Sequence, residues 1–150
     1  EIYPKFSKIN DLLEPLVFVT TQDEYTQLQN SNGDKTKFDK VILDITRDNE
    51  RAKNFMRNYF RRVELANLYF SSYKPGWKTD RGMIYLIFGV PDELSVNDGN
   101  EIWYYKTTRA RFTFVKSGSV YDPDNYVLLR DKKFMEIWFS MVDLIRKSRF

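Results

Sequence analysis

Apolar positions in the middle of the chain recur at helical spacing. Ala52, Phe55, Met56, Tyr59, Phe60, Val63, Ala66 and Phe70 follow an i, i+3, i+4, i+7 pattern, which predicts one long amphipathic helix over about 49–71 with Asp48 as its N-cap. At 1.5 Å per residue such a helix is ~35 Å long. Its other face carries Arg47, Arg51, Lys53, Arg57 and Arg61, read first as a solvated face and second as a surface for phosphates or an acidic partner. Two shorter helices precede it. Thr21-Gln22-Asp23-Glu24 has the capping-box spacing ahead of a helix at about 22–30. Asp34 follows a Ser31-Asn32-Gly33 turn and caps a helix at about 35–46, with Phe38, Val41, Ile42 and Ile45 inward. Residues 1–20 read as an irregular lead anchored by Ile2, Tyr3, Phe6, Ile9, Leu12 and Leu13, with Leu16–Val19 as a strand or buried arm.

Beyond Pro75-Gly76 the pattern shortens. Gly76 is expected to end the long helix with positive φ. Met83–Gly89 reads as a central strand, apolar on both faces, and Leu94–Val96 as a short strand. Asn97-Asp98-Gly99-Asn100 is a hairpin turn. Glu101–Thr107 and Arg111–Lys116 are strands, Lys116–Ser119 turns, residues 121–125 form a loop, and Tyr126–Arg130 reads as a last strand. Residues 134–148 fit a helix with Ile137, Trp138, Met141, Leu144 and Ile145 inward, although Phe134–Val142 is also strand-like. Helices followed by strands indicate α+β: N-terminal helices, the long one packed on a three- to four-stranded antiparallel meander, with a C-terminal helix if 134–148 is helical. The expected organisation is a single domain over 1–150: the lead (1–20), a helical part (21–72), a sheet part (76–130) and a C-terminal segment (131–150).

Composition removes whole classes of chemistry. Among 150 residues there is no histidine and no cysteine. A Ser-His-Asp triad, the usual zinc ligand sets, haem or iron–sulfur ligation and disulfides are therefore excluded. Catalysis would have to use carboxylates, Lys, Tyr or Ser/Thr, and no cofactor is expected. The 25 aromatic residues (12 Phe, 10 Tyr, 3 Trp) supply a bulky core. No apolar run approaches the length of a membrane-spanning helix. The net charge of +3 is too small to indicate nucleic acid. It is distributed in blocks: 83–105 holds four acidic and no basic residues, and 106–150 holds ten basic and five acidic. The opening Glu1-Ile2-Tyr3-Pro4, without an initiator Met, reads as an excised domain or processed fragment.

The distinctive residues are concentrated in one stretch. Gly76-Trp77-Lys78-Thr79-Asp80-Arg81-Gly82 leads into Gly89-Val90-Pro91-Asp92 and then Glu101-Ile102-Trp103-Tyr104-Tyr105; upstream lie Tyr59, Arg62, Val63, Ala66 and Asn67. This pattern resembles the GWxTD domain family, named for Gly76, Trp77, Thr79 and Asp80. The likeness covers about 55–105; the chain departs at Leu43-Asp44-Ile45, where the family commonly carries tryptophan. The resemblance implies a bacterial envelope protein of the Bacteroidetes type, periplasmic or outer-membrane associated, often with an export or lipoprotein signal. It implies no established activity. Its expected partner is another envelope protein or another domain of the same chain.

Physical roles for these residues follow from their chemistry. Thr79 and Asp80 accept local backbone N–H bonds. Arg81 pairs with one of Asp92, Glu93 or Glu101. Gly82 and Gly89 bracket a segment whose backbone passes close to a neighbour, and Trp103 and Tyr105 share one strand face. Three functions compete. The first is a non-catalytic interaction or scaffold domain in which the motif is a structural corner. The second is a carboxylate enzyme pairing Asp80 with Asp92 or Glu101. The third is capture of a glycan, peptide or nucleic acid by Arg81 and exposed aromatics, for which Tyr85, Trp103, Tyr105, Phe112 and Phe114 are the candidate stacking residues. The same rings equally make a sheet face packed on the long helix, and the motif residues fit the first reading without further assumption.

Overall fold

The computed structural model describes residues 9–118, 120 and 122–150. The expected anchors Ile2, Tyr3 and Phe6, and Ser119 and Tyr121, lie outside the described residues. Among the described residues, six α-helices and four strands follow in the order α1 (Ile9–Leu13), α2 (Gln22–Gln29), α3 (Lys35–Thr46), α4 (Asn49–Phe70), α5 (Asp80–Phe88), β1 (Glu93–Asn97), β2 (Asn100–Tyr105), β3 (Ala110–Lys116), β4 (Tyr126–Leu128) and α6 (Phe134–Arg146). These divide into two compact units, one up to Arg61 together with Val142–Phe150, the other Arg62–Met141.

In the first unit the capping signals act as expected. Thr21 accepts from the Glu24 amide while the Glu24 carboxylate accepts from the Thr21 amide, a complete capping box. Asp34 accepts from the amides of Thr36 and Lys37, and Asp48 from that of Arg51, so both orphaned helix starts are satisfied. Leu16–Val19, expected as a strand or buried arm, falls in and at the end of a 3-10 turn spanning Glu14–Phe18, with Leu16 buried. Pro15 opens it, and the Pro15 carbonyl accepts from the Tyr59 hydroxyl at 2.5 Å. Tyr59 also stacks on Phe55. Arg47, assigned from sequence to the basic face of the long helix, instead ends α3 in the left-handed conformation (φ 70°). Arg51, Lys53, Arg57 and Arg61 are exposed on α4. Arg146 closes the unit with a two-pronged bond to Glu24 (2.7 and 2.9 Å) and a bond to the Val19 carbonyl. The Arg146 guanidinium holds the Glu24 carboxyl below the usual carboxylate range.

The second unit contains a four-stranded antiparallel meander in the order β1-β2-β3-β4. Asp98 and Gly99, both at positive φ (52° and 83°), form the two-residue turn between β1 and β2. Leu94 lies opposite Trp103, which lies opposite Phe112. This inner face carries Trp103, Tyr105, Phe112, Phe114 and Leu128, all buried. The last turn of the long helix reaches the sheet through Phe70, whose ring lies 5.7 Å from that of Trp103. The start of α6 packs there as well: Phe134 contacts Phe112, and Trp138 contacts Phe88. The segment 134–146 is therefore helical, with Trp138 and Ile145 buried.

A further element differs in kind from the expectation. Met83–Phe88 is the body of helix α5, and no strand forms there. Six successive apolar residues look alike as a central strand or as a helix buried on all sides, and Ile84 to Phe88 are indeed all buried. The start signal decides between them: the Thr79 hydroxyl accepts from the Gly82 amide, an N-cap with Asp80 in the first turn.

Candidate functional site

The long helix ends at Phe70, and the chain returns through Gly76–Lys78, a single 3-10 turn. Gly76 does not end the long helix and is not at positive φ. It is required by proximity, because a Cβ at this position would sit 1.9 Å from the Ala66 carbonyl oxygen of α4. The Asn67 side chain accepts from the Trp77 amide (3.3 Å), and Ser71 Oγ accepts from the Gly76 amide (3.1 Å). These contacts hold the turn against α4 and bury the Trp77 side chain.

Thr79 is the hinge of the corner. Its hydroxyl donates to the Gly76 carbonyl (2.7 Å) and accepts from the Gly82 amide (2.9 Å), joining the 3-10 turn to α5. Gly82 touches the same carbonyl, since a Cβ there would lie 1.7 Å from the Gly76 oxygen. Asp80 does not bond locally as expected. Its carboxylate accepts from the Leu128 amide of β4, 48 residues away, at 2.8 Å. The start of α5 is thereby tied to the last strand.

Arg81 selects Glu101 from its three candidate partners. Its Nη1 lies 3.0 Å from Glu101 Oε2, with both side chains largely enclosed. The other Glu101 oxygen accepts from Trp103 Nε1 at 3.0 Å. The guanidinium lies between two rings, 4.0 Å from the centre of Tyr126 and 5.1 Å from that of Phe70, an arrangement that suits its flat, weakly hydrated cation. Its Nη2 donates to the Asp124 carbonyl. A cleft of about 270 Å³ opens beside it, lined by Tyr69, Ser72, Asp124, Asn125 and Tyr126 among others. A larger groove of about 690 Å³ lies in the first unit along α3 and α4 and includes none of the motif residues.

The far end of α5 is closed by the flanking motif residues. Arg62 donates to the Leu86 and Ile87 carbonyls (3.2 and 3.0 Å), which a helix end would otherwise leave unpaired. Gly89 leaves the helix at φ 77°, and its carbonyl accepts from the buried Tyr105 hydroxyl (2.7 Å). Burial pushes the Tyr105 phenol well above its ordinary value. Pro91 leads out to Asp92, whose carboxylate accepts from the Lys106 amide.

The structure thus brings the motif residues from Arg62 to Tyr105 around one short helix, and Tyr59 acts in the other unit. The proposed stacking face does not exist as such: Trp103, Tyr105, Phe112 and Phe114 are buried in the sheet's packed face, and Tyr85 is buried on α5. The proposed acid–base pairs are not assembled as facing carboxylates. Asp80 bonds to β4, Glu101 to Arg81 and Trp103, and Asp92 to Lys106. Among the described residues no acidic cluster is arranged to hold a metal ion. Phe70, Ser71, Tyr126 and the Leu128 amide complete the corner unannounced, because no sequence spacing links them to it.

The model of the GWxTD domain matches residues 1–147. The chain belongs to the GWxTD domain family. Comparisons with curated proteins and with solved structures find no match. In this GWxTD domain the name-giving residues Gly76, Trp77, Thr79 and Asp80 form one hydrogen-bonded corner that joins α4, α5 and β4.

Proposed function

We propose that this GWxTD domain is a non-catalytic interaction module with a scaffold role in a bacterial cell-envelope protein, periplasmic or outer-membrane associated. One contrast carries the reading. Thr79, Asp80 and Arg81 spend their polar groups on internal partners, while apolar side chains remain open on the sheet face opposite Trp103. There Ile102 and Val115 are half-buried, and Val127 (43%) and Leu129 (58%) are exposed. Neighbouring open apolar side chains on one sheet face offer a surface that a protein partner can cover.

The test uses the full-length protein in its host, with a photo-crosslinking residue at Val127. The expected result is one discrete crosslinked envelope protein, lost when Leu129→Asp is added to a domain that still folds. A folded domain that gives no crosslink at this position would contradict the reading. A second reading, glycan binding, is favoured by the cleft beside Arg81, with its hydroxyl and aromatic lining. Its test is titration with mono- and disaccharides followed by amide shifts at Ser72, Asn125 and Tyr126.

A further inference from the structure

We propose that the open edge of β1 accepts an extended segment of a partner protein, flanked by basic residues, as a fifth strand. The inference rests on the interaction reading above but goes beyond it, to a second surface at the opposite edge of the sheet.

The backbone of β1 is available on one side only. It pairs with β2, and among the described residues no strand lies beyond it. The two-residue turn at Asp98-Gly99 makes Asn97 and Asn100 the closing, hydrogen-bonded pair. Alternation along an antiparallel ladder then directs Glu93, Ser95 and Asn97 toward β2. The amides and carbonyls of Leu94 and Val96 point outward.

Soluble proteins usually guard such an edge with lysine, proline, a bulge or brevity. At the opposite edge β4 is only three residues long. By contrast β1 has five residues, all exposed, reading Glu93-Leu94-Ser95-Val96-Asn97, with no Lys and no Pro. Leu94 and Val96 stand on the Trp103 side of the sheet, yet remain 54% and 65% exposed. An added strand would cover both while pairing with the outward backbone groups, as in β-strand addition to a sheet edge.

Charge selects the occupant. Asp92 and Glu93 flank one end of the edge and Asp98 the other, and residues 83–105 hold no basic side chain. A strand with Lys or Arg beyond each end of a short apolar-alternating centre is complementary. A second copy of this chain is not: antiparallel pairing about Ser95 sets Asp92 opposite Asp98 of the other copy, and like charges directly opposite destabilise.

The test titrates isotope-labelled protein with the capped peptide Lys-Thr-Val-Thr-Val-Thr-Lys and, separately, with Glu-Thr-Val-Thr-Val-Thr-Glu. The expected result is amide shifts centred on 93–97, slower exchange at Leu94 and Val96, and binding of the acidic peptide at least about tenfold weaker. Val96→Pro removes an outward N–H without removing a bond to β2, as edge strands tolerate. With its fold verified by its spectrum, this variant should lose peptide binding. Equal binding of both peptides, equal binding by Val96→Pro, or shifts located elsewhere would overturn the proposal. So would concentration-dependent shifts at Leu94 and Val96 without peptide, which would make a second copy the occupant. If Val127 crosslinks a partner while the edge binds no peptide, the interaction reading stands and this inference alone falls.

Discussion

Gly82→Ala sets two physical effects against each other with opposite signs. Gly82 lies in the first turn of α5, where helix propensity alone favours alanine by about 1 kcal/mol. Packing opposes the change. The new Cβ would lie 1.7 Å from the Gly76 carbonyl oxygen, against at least 3.4 Å for ordinary contact, and the obstacle is backbone. Either the helix start or the 3-10 turn must withdraw by about the 1.7 Å between those distances. Three hydrogen bonds share that space: Thr79 N to Gly76 O, Thr79 Oγ1 to Gly76 O, and Gly82 N to Thr79 Oγ1. At about 1 kcal/mol net each they sum to about 3, which outweighs the propensity gain. The expected result is a loss of about 2 kcal/mol or more in unfolding free energy, read from urea titration of tryptophan fluorescence. Gly99→Ala is the comparison. Nothing lies within 4 Å of its Cβ, but φ is +83°, so the expected cost is only about 1 kcal/mol. A Gly82→Ala protein as stable as the parent, or more stable, would refute the close-packed corner.

Two further substitutions address the other end of α5. Arg62→Met keeps much of the apolar stem but removes the donor to the Leu86 and Ile87 carbonyls; the expected cost is about 1–3 kcal/mol, with hydrogen exchange accelerated near the end of α5, and unchanged protection there would contradict the capping role. The neutral Tyr105 phenol is preferred in the folded state, so its contribution is fully present below its ordinary value of 10 and is lost as pH rises above it. Wild-type stability should therefore fall by about 1.4 kcal/mol more per pH unit above 10 than that of Tyr105→Phe, whereas below pH 9 the wild type should be the more stable through its bond to Gly89; parallel pH curves would show that Tyr105 is not held neutral.

Local chemistry explains what the sequence made legible. The capping box at Thr21, the caps at Asp34 and Asp48, the long α4 and the Asp98-Gly99 turn depend on neighbours within a few residues, and each forms where its signal lies. Helix α5 looks like a strand in the sequence because an unbroken apolar run carries no period, and the deciding cap, Thr79, reads there only as a local backbone acceptor. Within the corner, the Arg81–Glu101 pair could be narrowed to three candidates because the acidic block was visible. The Asp80–Leu128 bond could not be seen, since a backbone amide 48 residues away leaves no mark on the residues around Asp80. The same holds for the Phe70 and Tyr126 rings around Arg81. Part of the aromatic excess lies in the packed sheet face and the rings against it, including Phe88, Trp103, Phe112, Phe114 and Phe134.

The claim that the signature is a structural corner is tested most directly by the unfolding free energy of Trp77→Ala. Trp77 is buried, with its amide held by Asn67, and a large-to-small change in such packing costs about 3–5 kcal/mol. The expected result is a loss of that size, with partner crosslinking at Val127 retained in whatever fraction remains folded. Undiminished stability together with abolished partner binding would contradict the account and make Trp77 a contact residue.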